Sequence, residues 1–316
     1  MSGPPAPVDF SRGAPSVGDL NVAWVHGSPS PRHRTDPPIQ VHAYDPYTFI
    51  LRESKDVSFE APFLYLFFGN DRALLVDTGA TADARQFPLR PTVDRLIQEW
   101  LTQHPWEGYE LVVAHTHSHT DHTTGDSQFS DRPNTRIAGR TPEEVRAFFG
   151  LSAEPDDVKT LDLGGRELEV FGIPGHHPAS IATYDRWTGL LLTGDTVCPG
   201  RLYVFDMPAF LASLDRLVRF AGSRPVTHVM GAHVEMSKLP GRDYPIGARY
   251  QPQERALPMP SQSLTTIHSA ALSVASRPGA YVYDDFLIFN GPCTGAVLRQ
   301  LVRGWGWNLR YRLGLL

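Results

Sequence analysis

The chain is poor in cysteine. Cys198 and Cys293 are the whole complement among 316 residues. Two thiols so far apart do not make a disulfide framework, and a chain of this length needs none because it can bury a large core. Such usage favours a reducing compartment, so a cytoplasmic location is expected. Long apolar runs are missing too. None approaches the roughly 18 residues of a membrane-spanning helix, and no membrane partner is expected. The opening MSGPPAPVDFSRG has neither the basic start nor the apolar stretch of a secretory signal. Nor is there an excess of positive charge. Twenty-nine Lys and Arg against 34 Asp and Glu leave a net charge of −5. That balance argues against nucleic acid, whose binding rests on basic surface. A small molecule is the expected partner, and a homodimer is the protein partner considered. What the chain has in quantity is histidine, 13 residues, and their clustering directs the functional reading.

Residues 1–38 hold eight prolines and little periodicity. They read as an extended arm, and 39–316 read as a single domain with a C-terminal extension. IQVHA, YTFILRE, FLYLFFG and RALLVDT are short β-type runs, followed by ELVVAH, RELEVFGI, LLLTGD and VTHVMG. Helical spacing marks Thr92–Gln103, Pro208–Phe220 and Ser261–Ala275, and Thr141 with Pro142 reads as a cap opening a helix to Phe149. Residues 236–262 are rich in Pro, Gly and Arg and read as a long loop. AYVYD and FLIFN look like a hairpin pair. At the tail, Trp305, Trp307, Leu309, Tyr311 and Leu313 recur at period two. That spacing predicts a half-buried strand, covered by the domain or by a second subunit. Strands first, then mixed strands and helices, make layered α/β the natural class.

Chemistry concentrates after ELVVAH, in His115-Thr-His117-Ser-His119-Thr-Asp121-His122. Imidazole and carboxylate are good ligands for zinc and similar divalent ions. In extended chain His117 and His119 point the same way, and Asp121 and His122 follow at a turn, able to address a second position. Two frames are open, because His115 also lies in the alternating series. The pattern HxHxDH holds only from His117, which leaves His115 as a strand-end or supporting residue.

THSHTDH resembles the HxHxDH signature of the metallo-β-lactamase superfamily. LLVDTG (74–79), PGHHPAS (174–180), LLLTGDTV (190–197) and MGAHVE (230–235) resemble that family's other motifs, in its order. The resemblance spans about Phe63 to Glu235 and implies a four-layer αββα sandwich. It implies that His117, His119 and His176 hold one divalent metal ion and Asp121, His122 and His233 another, with Asp195 bridging both. Zinc is the expected metal, with iron and manganese as alternatives. Asp77 is assigned either to supporting a ligand histidine or to capping its own strand-end turn. His177 stands where the family often has threonine and is read as a non-ligand.

The resemblance further implies a water shared by the two metals, made acidic enough to attack as hydroxide, with Asp121 orienting it and moving its proton. Asp195 stands where the known antibiotic-hydrolysing members carry cysteine or an altered motif, which favours the glyoxalase-II-like and lactonase-like branches. Hydrolysis of a carboxylic ester, thioester or lactone is the expected activity. Phosphodiester hydrolysis and a persulfide-dioxygenase-like redox reaction are the alternatives on the same fold. Tyr203 is the candidate for assisting the substrate carbonyl, or else an aromatic packed in a strand. Arg249 and Tyr250, in the loop after His233, are candidates for substrate contact. Cys198 reads as a small buried hydrophobe.

Overall fold

Strands that are apolar along their whole length need cover on both faces. The computed structural model provides it with four layers. It describes residues 1–316 except 1–5, 12, 14 and 155, so part of the arm lies outside the described residues. The first sheet runs in chain order through β1 (Ile39–Asp45), β2 (Thr48–Glu53), β3 (Phe63–Phe68), β4 (Arg72–Val76), β5 (Glu110–Ala114) and β6 (Thr135–Ile137). α1 (Leu89–Gln103) joins β4 to its parallel neighbour β5, and the short α2 (Thr120–Thr123) follows β5. After β6 comes α3 (Pro142–Phe149), which opens as its sequence dictates. Glu144 N donates to the Thr141 side chain at 3.2 Å, Thr141 N donates back to Glu144 at 2.9 Å, and Pro142 starts the helix.

The second sheet begins with β7 (Lys159–Asp162), β8 (Glu167–Gly172), β9 (Ile181–Asp185) and β10 (Leu190–Gly194). β11 (Arg201–Val204) leaves it, and α4 (Met207–Gly222) leads back to β12 (His228–Gly231) and β13 (Pro258–Met259). α5 (Gln262–Val274) then precedes β14 (Gly279–Val282) and β15 (Leu287–Asn290), which join β11 in a small third sheet.

Alternation along each strand sorts the layers. Phe63, Tyr65 and Phe67 of β3 face Leu190, Leu192 and Met230 of the second sheet in the central core. Leu64, Leu66 and Phe68 turn the other way, onto Val93, Leu96 and Trp100 of α1. On the far side Leu191 and Val229 meet Leu214 and Leu217 of α4 and Ile267 of α5. Neighbouring residues of one strand therefore serve different layers, which is why these strands read as continuous apolar runs. The arm packs along this frame, with the Phe10 ring edge-on to Tyr47 and Trp187 at 5.5 and 5.3 Å and Trp24 edge-on to Phe63 at 5.0 Å.

The tail overturns its expected strand. Residues Thr294–Leu313 form a helix, α6. The period-two stripe splits between two faces, because residues four apart share a helix face and residues two apart do not. Tyr311 is buried, and Trp307 packs edge-on to Tyr244 at 5.6 Å and donates from Nε1 to Tyr250 O at 3.1 Å. Trp305, Leu309 and Leu313 point outward, 72%, 44% and 63% exposed. Gly304 allows the close docking: a Cβ there would sit 2.0 Å from the carbonyl oxygen of Ile246.

Candidate metal centre

Every sequence-predicted ligand lies at the C-terminal end of a strand. His117–His122 follow β5, His176 follows β8, Asp195 directly follows β10, and His233 stands two residues beyond β12. β10 is parallel to β12 and antiparallel to β9, which is antiparallel to β8, so β8, β10 and β12 deliver their loops to one edge. Strand ends of this kind are where open sheets build sites. Gly194 lets the two sheets close there. It has φ +53°, and a Cβ on it would lie 2.7 Å from Thr116 Cβ.

His117, His119 and His176 form one cluster. His176 Nδ1 donates to Tyr203 O at 2.8 Å, so its Nε2 carries a lone pair. That atom lies 3.1 Å from His119 Nδ1, and His117 Nε2 lies 2.9 Å from the same Nδ1. One proton on His119 can serve one of those contacts; a cation between the rings serves both.

Asp121, His122, Asp195 and His233 form the other cluster. His122 Nδ1 donates to Asp77 Oδ2 at 2.9 Å, and His233 Nδ1 donates to Glu60 O at 3.1 Å. Their Nε2 atoms therefore face each other at 3.3 Å, and Asp121 Oδ2 lies 3.3 and 3.2 Å from them. Ligand atoms about 2.0–2.1 Å from a tetrahedral ion stand roughly 3.3 Å apart, so these spacings suit a cation. Asp195 lies between the clusters. Its Oδ2 is 4.0 and 3.8 Å from the Nε2 atoms of His117 and His176, and its Oδ1 is 3.7 and 3.6 Å from those of His122 and His233. Asp195 Oδ1 is buried without a hydrogen-bond partner, a costly state that a cation would relieve. The donor set thus fits two divalent ions on the evidence of its own unsatisfied atoms.

Electrostatics separates the two clusters. Burial, with His122 adding repulsion, holds His117 well below the usual imidazole range. Burial and His176 push His119 down to about 4. Burial would also lower His122 and His233, but carboxylates outweigh it. Asp77, Asp121 and Asp195 hold His122 well above its ordinary value, and Asp195 with Asp121 brings His233 up to about 9.

Behind the ligands, Asp77 adopts φ +67° and accepts from Thr116 N at 2.7 Å as well as from His122. It does both jobs weighed for it, tying the turn and orienting a ligand-type ring. His115 Nε2 meets Asp126 Oδ1 at 2.8 Å, and Asp126 also holds Thr78 and Arg140. His115 therefore braces the loop and is not in either cluster. His177 is likewise outside the clusters, and its Nδ1 accepts from Ala179 N at 3.1 Å.

A cavity of about 180 Å³ opens over the centre, where Glu60, Cys198, Arg201, Tyr203, Phe205 and Glu235 join the ligand-type residues. Tyr203 Oη accepts from Arg201 Nε at 3.1 Å. The buried Arg201 also reaches Glu235, and it donates to Asp243 at 3.0 Å. Arg249 and Tyr250 do not line this cavity, which corrects their candidacy. Arg249 donates to Lys55 O at 3.2 Å beside a different cavity, shared with Arg34 and Tyr311, and the Tyr250 carbonyl receives Trp307. Sequence distance from His233 misled, because the chain turns away through Tyr244 to pack under α6. Arg201 and Phe205 stand in the stretch 200–205, which follows Asp195 closely and reads from the sequence as a pocket lining, whereas Glu60 and Glu235 were not singled out. Glu235, two residues after His233, had a signal in its spacing; Glu60 lies in no motif.

The family model for the metallo-beta-lactamase superfamily matches residues 59–233, more than half of the chain. Among curated proteins the chain is similar to a hydroxyacylglutathione hydrolase of Synechococcus sp. (strain JA-2-3B'a(2-13)), 32% identical over 160 residues, 49% of this chain and 58% of that protein. It is also similar to one of Ectopseudomonas mendocina (strain ymp), 30% identical over 134 residues, 41% of this chain and 50% of that protein. The chain thus spans about half the length of the curated relatives it matches. Among solved structures, a metallo-beta-lactamase from Pontibacter korlensis aligns with TM-score 0.51 at 15% identity, over 74% of this chain and 99% of that one. VMB-1 aligns with TM-score 0.51 at 13% identity, over 77% of this chain and 100% of that one. Fold, motif order and family match agree: the chain belongs to the metallo-β-lactamase superfamily.

Proposed function

We propose that this chain is a binuclear metal-dependent hydrolase of a carboxylic ester, thioester or lactone. The observation that carries the reading is Asp195, whose two oxygens address two separate ligand clusters beneath one cavity. Two divalent ions bound there, zinc in our reading, would acidify a shared water and polarise a carbonyl. The chain's own residues do the rest. Asp121 stays ionised, since His122 and His233 outweigh the opposing effect of burial and hold it well below the usual carboxylate range. It is therefore placed to accept a hydrogen bond from the attacking water and orient it, while so acidic a carboxyl is a weak base for its proton. Burial pushes the Tyr203 phenol up, so it keeps its proton at neutral pH. Because Arg201 donates to its oxygen, that proton is left to donate to the substrate carbonyl or leaving group.

The relatives' name, hydroxyacylglutathione hydrolase, supports the thioester member of this class. The cavity supports a small acyl end. At about 180 Å³ it is smaller than the roughly 300–1,000 Å³ of a pocket that encloses a whole ligand, so the remainder of the substrate lies outside. Phe205, 72% exposed beside His119 and His176, offers an apolar lip for that remainder. Glu60 and Glu235 in the wall are poor neighbours for a phosphodiester anion, and Arg201 is already held by Glu235 and Asp243.

The test is a panel of aryl ester, thioester, lactone and phosphodiester substrates with the metal-loaded protein. Carbonyl substrates turn over fastest, chelation abolishes turnover and zinc restores it. Tyr203→Phe lowers kcat up to roughly a hundredfold, the size of one lost oxyanion donor, with metal content unchanged. Faster cleavage of the phosphodiester than of every carbonyl substrate overturns the reading.

A further inference from the structure

α6 carries an unpartnered surface whose chemistry the hydrolytic reading does not use. Its inner face is committed. Arg303 pairs with Asp243 at 2.9 Å, Asn308 donates to Gly247 O at 2.9 Å, and Trp307 and Tyr311 pack inward. Its outer face presents Leu298, Leu301, Val302, Trp305, Leu309 and Leu313, each 44–72% exposed. At 100° per residue these six fall within an arc of about 120°, which makes one continuous stripe.

The charge on the same helix is one-sided. Its sequence, TGAVLRQLVRGWGWNLRYRL, has four arginines and no acidic residue. The chain carries −5 overall, so the rest of it carries −9 (−5 minus +4). Arg299 and Arg310 flank the stripe on one side and Arg312 sits near its C-terminal end; among the described residues none of the three has an ion pair.

A groove of about 1030 Å³ lies beside the helix and extends the pattern. Leu239 and Val282, 59% and 57% exposed, line it with Trp307, and Lys238, Arg242 and Arg310 edge it. The acids nearby include Asp243 and Asp284, together with Asp285, paired with Arg255, and Asp56, which lines a cavity with Tyr311 and Arg312 at the end of the helix. Asp243 is taken by Arg201, Gln300 and Arg303, and Asp284 is on the adjoining hairpin turn.

We propose that α6 and this groove form a docking surface for an anionic lipid bilayer, with the helix lying along the membrane plane. Tryptophan and leucine on one face with arginine beside them suit the boundary between headgroups and acyl chains, and anionic headgroups complement the unpaired arginines. A second copy of the chain is the poorer occupant, because packing the same face on itself sets the three unpaired arginines against their own copies with no acid on the helix to meet them. Among the described residues no helix is long and apolar enough to cross a membrane, so the proposed contact of α6 is a surface one. The inference stands apart from the hydrolytic reading, since no ligand-type residue belongs to α6.

Co-sedimentation of the full chain with vesicles tests it. One set is phosphatidylcholine alone; the other contains phosphatidylglycerol as well. The protein partitions onto the anionic set at low salt and is released at high salt, where charges are screened. Arg299→Gln and Arg310→Gln each weaken partition roughly fivefold, the factor for about 1 kcal/mol per basic residue near such a surface. Trp305→Ser with Leu309→Ser lowers binding to the level seen on neutral vesicles, with melting temperature and metal content as checks on folding. Absence of binding by the wild-type chain to anionic vesicles at low salt overturns the proposal, and so does equal binding to both sets. A solution dimer that Leu309→Ser converts to monomer also overturns it, by showing that a second copy covers the stripe. The wild-type arms decide the matter even where a variant fails to fold.

Discussion

The two ligand clusters lie side by side, yet they are built from different electrostatics. One gathers three imidazoles whose ordinary state is neutral: burial lowers both His117 and His119, and His176 is lowered as well. The other sets Asp121 among its ligands and Asp77 behind His122, and its two histidines are raised although both are buried. In the first cluster the shared Asp195 offsets a cation's charge, with a smaller contribution from Asp121 of the neighbouring cluster. In the second, three carboxylates do. Neighbouring positions of one short motif, His119 and His122, thus sit in opposite fields. The difference implies that the carboxylate-rich position binds a divalent ion more tightly and that the imidazole position, with half-buried His119, exchanges faster.

The harshest way to break this comparison is to remove what the clusters share. Asp195→Ala is expected to cut metal content from two ions per chain to one or none, and turnover by roughly 10²–10³-fold or more. Unchanged metal content by elemental analysis would show that Asp195 does not bridge. Next, slow chelation followed by metal analysis and activity should release ions in two steps, the first from the imidazole cluster; a single step erases the asymmetry. Asp77→Asn sharpens the comparison from behind. It should weaken affinity about 10–100-fold, as loss of a carboxylate supporting a ligand histidine does, at the carboxylate-rich position alone.

The effect farthest from the metal ligands is one of pH. Glu53 is buried beside the turn after Asp77, its Oε2 accepting from Ala80 N at 2.8 Å and its Oε1 unpartnered. Burial pushes its carboxyl up from 4.5 to about 7. Between those values the folded chain keeps a proton that the unfolded chain has released, so its contribution is complete below 4.5 and is lost as pH rises through 7. The span amounts to roughly 3 kcal/mol at most. Thermal melts of metal-free protein should show wild type losing stability across that window and Glu53→Gln losing less. Parallel curves would remove Glu53 from the account.

The ligand-type residues were legible in the sequence because they stand in short motifs that resemble, in order, those of the metallo-β-lactamase superfamily. The spacing of His117, His119, Asp121 and His122 suggested a metal site by itself; His176, Asp195 and His233 were assigned through the resemblance. Asp77 was legible for the same reason, although its double attachment to Thr116 and His122 was not. Arg249 and Tyr250 were misplaced because they stand sixteen and seventeen residues beyond His233, a length over which a loop can go anywhere. The tail failed differently. Aromatic and leucine residues at alternate positions are compatible with either a strand or two faces of a helix, and docking decided between them: Gly304, Trp307 and Tyr311 seat against residues 244–250, and the helix that results carries Trp305 outward.

The sequence by itself determined the layered class and the order of the motifs, and through the resemblance of those motifs it pointed to the groups that could hold divalent ions, because a motif is local and its chemistry belongs to side chains. Only the tertiary structure decided which atoms converge. Asp195 lies between two clusters drawn from both sheets because the sheets pack face to face and end at a common edge. Glu60 and Arg201 reach the cavity from elements outside the motifs, and the outer face of α6 stays bare because its other face is already filled. These are contacts between residues far apart in the chain, and periodicity carries no information about them.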